Sequence, residues 1–251
     1  SGVIATATYT VIPNSEICTG DPFTIVVTVN PQINVDPIVT NSTCFEFDNA
    51  QIEITITGGV PFTTSDPFII EWNGPDGYTS TDEDIFNLEP GTYTLIITDS
   101  EGCEFTDTYI ITQPEELLLG SLDVFEDITC FGFDDGQIAV TIIGGTLDYI
   151  YEWEKDGDGL VYSNDEDLTN LPPGVYVLTV TDENGCVLVL DPLEIIEPAL
   201  LTITLIEKVD IDCYGFNTGS IDIEANGGRP GYTYSWTGPG GFTSPDPDIF
   251  D

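Results

Sequence analysis

The chain has 251 residues, with three basic side chains (Lys155, Lys208, Arg229) against 45 acidic ones and a net charge of −42. That balance excludes nucleic acid as a partner, because neutralising phosphate takes Lys and Arg, and it works against docking on anionic membranes. There is no His, so no Ser/His or Cys/His catalytic pair can be assembled, and no apolar stretch is long enough for a membrane-spanning helix.

Acidity alone would suggest disorder, but 13 Phe, 11 Tyr, 3 Trp and many β-branched runs argue for a packed fold. Ser1 to Tyr9 already reads as mid-domain strand, so the segment is expected to continue a longer chain whose leader and anchor lie elsewhere. Gln51 to Thr57 alternates apolar and polar residues with period two, as do Thr92 to Thr98, Val175 to Thr181 and Ser220 to Glu224. That period predicts half-buried antiparallel strands. Turn residues separate them at Gly58-Gly59, Asn73-Gly74-Pro75, Asp76-Gly77, Asp156-Gly157 and Glu183-Asn184-Gly185. No segment shows helical period, and both Glu115 to Leu119 and Ala199 to Thr204 are read as strand. For one unit the predicted strands are 119–129, 137–143, 148–154, 160–164, 174–182 and 186–196, six in all.

These elements recur. Cys44, Cys130 and Cys213 lie 86 and 83 residues apart, and so do Gly58, Gly144 and Gly227. Trp72, Trp153 and Trp236 are separated by 81 and 83 residues. Such a period exceeds the roughly 20–50 residues of a solenoid coil and suits a small β domain. The expected fold is therefore all-β, with tandem immunoglobulin-like antiparallel β-sandwich modules in a linear array. The divisions are 1–33, the C-terminal part of a preceding module; 34–118, a first complete repeat; 119–201, a second; and 202–251, the N-terminal part of a third. Short Pro-containing joints, Gln113 to Glu115 and Ile196 to Pro198, predict semi-rigid neighbours. Leu88 to Tyr93 and Leu171 to Tyr176 have the form of a corner in which a Tyr hydroxyl ties back to backbone, the alternative being a Tyr that only packs.

Six cysteines can pair in fifteen ways. The repeat favours Cys44 with Cys103 and Cys130 with Cys186, leaving Cys18 and Cys213 unpaired by truncation. Six antiparallel strands would bring each pair to the same end of its module, whereas seven would separate them and forbid the bond. Closing such a loop is worth about 4 kcal/mol. The alternative is free cysteine packing as a small hydrophobe.

Recurrent acidic positions raise calcium as a cofactor: Asp82, Asp84 and Asp99; Asp165, Asp167 and Asp182; and Asp246 with Asp248. Hard cations take several oxygen ligands. The competing account has these side chains capping turns and keeping the surface solvated. Tyr78 and Phe242, each after a Gly, are candidate glycan contacts, while the three Trp fit a core. Asn41 to Thr43 is a glycosylation sequon.

Taken as a set, the motifs resemble the SprB-type repeat of Bacteroidetes cell-surface adhesins. They are Thr129 to Ile138, the Gly144-Gly145 turn, the strand carrying Tyr232, Tyr234 and Trp236, and the ending from Leu171 to Cys186. The resemblance spans 34–251, and residues 1–33 look like the tail of a related PKD-like module. It implies a long, secreted surface filament, exported by a type IX system, with secretion and gliding-motility machinery among its partners. The first repeat departs from the pattern at Glu46, where Gly is usual, and in the longer loop Val60 to Pro67. The expected function is a structural and adhesive segment without enzymatic activity, bound to neighbouring repeats of its own chain and to an extracellular surface or glycan. The alternatives are a calcium- or glycan-binding recognition module, or accessory repeats of a secreted enzyme.

Overall fold

The computed structural model describes residues 5–63 and 65–250. The chain forms two compact units, 1–116 and 117–251. Among the described residues there is no α-helix; short antiparallel strands carry the whole fold.

In the first unit, β1 (Ala5–Val11) and β2 (Phe23–Val29) form a hairpin with Ala5 opposite Val29. The first repeat follows as β3 (Asn34–Thr40), β4 (Ala50–Thr57), β5 (Ile69–Asn73), β6 (Thr79–Ser80), β7 (Ile85–Leu88), β8 (Gly91–Thr98) and β9 (Glu104–Ile111). One sheet has the order β3-β4-β7, the other β6-β5-β8-β9. Period-two sequence buries alternate residues. Ile52 and Ile54 on β4, with Ile85 and Leu88 on β7, meet Trp72 on β5 and Tyr93, Leu95 and Ile97 on β8 in one core.

The second unit repeats the plan. Its strands are β10 (Leu118–Glu126), β11 (Gly136–Ile143), β12 (Ile150–Lys155), β13 (Val161–Ser163), β14 (Leu168–Leu171), β15 (Gly174–Thr181), β16 (Val187–Val189) and β17 (Leu193–Ile195). The sheets are β10-β11-β14 and β13-β12-β15-β16, with β17 also on β15. Trp153, Tyr176, Leu178 and Val180 lie against Ile138 and Val140 in the core. The third repeat contributes β18 (Thr202–Val209), β19 (Ser220–Asn226), β20 (Trp236–Thr237), β21 (Thr243–Ser244) and β22 (Ile249–Phe250). Its sheets are β18-β19-β22 and β20-β21.

The sandwich matches the expected class, with two differences in strand count. Leu168–Leu171 is a strand that the six expected for its repeat leave out, and Ile85–Leu88 is its counterpart in the first repeat. They are four residues long, and Asn87 and Asn170 sit at positive φ of 55° and 57° beside a shift of register. A strand this short, interrupted by Asn, lacks the alternation that reveals its neighbours. The single strand expected over 186–196 is divided into β16 and β17.

Candidate functional site

Among the described residues, what recurs is the construction of the two ends of each repeat. At the leading end the Gly-Gly pair turns the chain left-handed. Gly58 and Gly59 have φ of 75° and 61°, and Gly144 and Gly145 have 74° and 59°. A Cβ on Gly58 would stand 2.1 Å from the Gln32 carbonyl oxygen, so only glycine fits. A buried carboxylate fastens this turn to the late hairpin. Asp99 accepts from the backbone N–H of Val60 at 3.0 Å, Glu101 at 3.0 Å and Cys103 at 2.9 Å. Asp182 accepts from Thr146 at 2.8 Å, Asn184 at 3.0 Å and Cys186 at 2.8 Å. Burial raises the carboxyl of Asp99, but its three N–H donors outweigh burial and hold it below the ordinary carboxylate value.

At the trailing end a clasp joins the first strand to the last. Ser42 N–H donates to the Thr112 carbonyl at 3.1 Å, and Thr112 N–H donates to Asn41 Oδ1 at 2.9 Å. In the second repeat Ile128 N–H donates to the Ile196 carbonyl at 3.2 Å, and Ile196 N–H donates to Asp127 Oδ1 at 2.9 Å. The Cys-x-x-Phe opening follows as a tight turn in which Phe47, Phe133 and Phe216 donate to the carbonyls of Cys44, Cys130 and Cys213.

The Tyr corner exists in both complete repeats. Tyr93 Oη donates to the Glu89 carbonyl at 3.0 Å and Tyr176 Oη to the Pro172 carbonyl at 2.8 Å. The three Trp share a bond as well: their Nε1 donates to the carbonyls of Asp82, Asp165 and Asp246. Trp72 and Trp153 are core residues, as expected. Of the proposed aromatic contacts, Tyr78 packs edge-on against Tyr93, while Phe242 remains 43% exposed.

The acidic candidates have internal partners. Asp84, Asp167 and Asp248 accept from the backbone N–H of Ile54, Val140 and Ile223. Asp82, Asp165 and Asp246 pair with the hydroxyls of Ser80, Ser163 and Ser244. Among the described residues no three such side chains are arranged to hold a metal ion. The sequence showed where these residues recur but not that each anchors a particular turn or strand.

The disulfide expectation requires correction. Cys103 and Cys130 carry free thiols, so neither Cys44–Cys103 nor Cys130–Cys186 is formed; Cys18 and Cys213 are free as well. Cys44 and Cys186 are each disulfide-bonded. The reason lies in parity. With β14 counted, five strands rather than four separate Cys130 from Cys186, and β7 does the same between Cys44 and Cys103. Cys44 and Cys130 therefore follow the trailing clasp, whereas Cys103 and Cys186 sit on Asp99 and Asp182 at the leading end. A bond between opposite ends of one sandwich is out of reach, since bridged Cα atoms lie within about 7 Å.

Geometry thus defines a tandem antiparallel β-sandwich repeat with fastened ends. A family model described as the SprB repeat matches residues 122–158 and 205–241, the same part of the second and third repeats. No curated protein matches the chain. Among solved structures it is similar to extracellular domains 3–5 of Drosophila OTK, at 15% identity over 71% of this chain and 65% of that one, with a TM-score of 0.28. It is also similar to the N-terminal four Ig domains of Dscam1 isoform 6.44, at 12% identity, 90% and 68% coverage and a TM-score of 0.27. A third is SGBP-B of the Bacteroides ovatus mixed-linkage glucan utilization locus in complex with a mixed-linkage heptasaccharide, at 14% identity, 86% and 70% coverage and a TM-score of 0.20.

Proposed function

We propose that the chain is a structural and adhesive segment of a secreted cell-surface filament, an adhesin used in surface attachment or gliding motility. The observation that carries this reading is the pair of SprB-repeat matches, whose starts are 83 residues apart, each on a β-sandwich. Residues 34–118, 119–201 and 202–251 are taken as two whole modules and the head of a third, preceded by a PKD-like tail at 1–33. In this reading the work is mechanical: fastened ends keep each module stiff, and a charge of −42 keeps the array solvated and extended. Its partners are neighbouring repeats, an extracellular surface or glycan, and the type IX secretion and motility machinery; it has no catalytic role. Antibody raised against the 251-residue chain tests the reading on intact and on lysed cells of the source organism. Labelling of intact cells, with reduced attachment or gliding, is the expected result. Labelling of lysed cells only would overturn it.

A further inference from the structure

Within the second unit, Arg229 of the third repeat reaches the trailing clasp of the second. A single guanidinium nitrogen, Nη2, lies 3.0 Å from the Asp127 carbonyl oxygen and 2.8 Å from that of Ile128. One planar NH2 group has two hydrogens, so it satisfies two successive carbonyls at once, and its donor charge strengthens both bonds. The surface it meets is built for a cation. Asp127 contributes the carboxylate of the clasp itself, and Asp135 is held by Thr129 close enough to feel the charge of Arg229. Ile128, whose N–H closes the clasp on Ile196, is fully buried. Arg229 is the only arginine in the chain and follows Gly227-Gly228; Val60 and Thr146, which carry no charge, follow the corresponding glycine pairs.

We propose that the trailing clasp of the second repeat is a docking surface for the leading loop of the third, and that Arg229 latches that loop at the joint between them. A basic residue directly after the Gly-Gly pair then marks a stiffened joint, a rule readable from sequence. The latch concerns the mechanics of the array and holds whether or not the array is an adhesin.

The test uses the 251-residue chain and its Arg229→Ala and Arg229→Lys variants. Backbone relaxation by NMR gives one tumbling tensor for 118–195 and 202–226 in the parent. Arg229→Ala is expected to separate the two tensors and to raise cleavage of the joint, 197–201, by a dilute protease about fivefold, which is the loss of about 1 kcal/mol. Arg229→Lys keeps the charge but not the two-hydrogen fork and falls between. Amide protection within β18 and β19 serves as the control for folding and stays at parent level in the lysine variant. A parent that already tumbles as two bodies, or an alanine variant that still tumbles as one with unchanged cleavage, would overturn the latch.

Discussion

The first and second repeats share a core and a corner but differ along one edge. In the first, β9 runs unbroken opposite β8, from Glu104 on Thr98 to Ile111 on Gly91. In the second, β16 pairs Val189 with Thr179 and β17 resumes with Leu193 on Tyr176, so four steps on one strand oppose three on the other. The extra residue forms a bulge at Asp191-Pro192, where Pro lacks the N–H needed for the ladder. The lesson is which positions the fold constrains. Trp72 and Trp153, the two Tyr corners and Asp99 with Asp182 keep equivalent partners, while the outer strand tolerates an insertion because it has a neighbour on one side only.

The sharpest way to break the comparison is to empty both cores. Trp72→Ala and Trp153→Ala remove fully buried indoles and are each expected to cost about 3–5 kcal/mol, measured by urea denaturation and local amide exchange. Tolerance of one but not the other would mean that the two cores are not equivalent. Asp99→Ala comes next, since it strips the acceptor from three backbone N–H groups, and about 2–3 kcal/mol is expected. The sign with pH follows from the depressed carboxyl of Asp99. Its contribution is complete above the unfolded value, about 3.9, and is lost as pH falls through the lower folded value. Amide exchange of the first repeat between pH 5 and pH 2 therefore steepens in the parent. Asp99→Asn should flatten that response, and an unchanged slope would remove Asp99 as its cause.

Smaller effects separate hydroxyls that are used from one that is not. Tyr93→Phe and Tyr176→Phe each delete a corner bond and are expected to cost about 1 kcal/mol. Tyr109 is also buried, but among the described residues no partner meets hydrogen-bond geometry at its hydroxyl; burial, with the Asp107 carboxylate beside it, pushes its ionisation up to about 12. Tyr109→Phe should leave stability unchanged or raise it slightly. A loss equal to that of Tyr93→Phe in thermal unfolding would contradict this account.

Much of this was legible in the sequence. The Gly-Gly turns, the Trp strands and the corner each need a particular residue, so a repeat in spacing marks them. The strands β7 and β14 were not legible, because four residues containing an Asn at positive φ carry too little period. Missing them reversed the parity between the early and late cysteines, and the expected disulfides failed for that reason. The acidic pairs were visible as a pattern, but Asp84, Asp167 and Asp248 meet backbone N–H groups on other strands, while Asp82, Asp165 and Asp246 meet the serine hydroxyls two residues before them. A sequence cannot show which amide a carboxylate meets when 45 carboxylates are present.

The smallest prediction tests the one turn in which the first repeat departs from the others. Glu46 sits at φ 56°, where Gly132 and Gly215 have 81° and 88°. A side chain in this left-handed region costs about 1–2 kcal/mol, a penalty glycine avoids. Open space surrounds Gly132, with nothing within 4 Å of a Cβ placed there. Gly132→Ala therefore isolates the conformational term and should destabilise the second repeat by about 1 kcal/mol. Glu46→Gly should stabilise the first by up to the same amount, since the bond from its N–H to Gln113 Oε1 involves only backbone on the Glu46 side and survives the change. The gain is trimmed because glycine also loosens the unfolded chain. Opposite signs in paired urea titrations would show that one left-handed turn is common to both repeats. A loss on Glu46→Gly would mean instead that the glutamate side chain itself stabilises the trailing end of the first repeat.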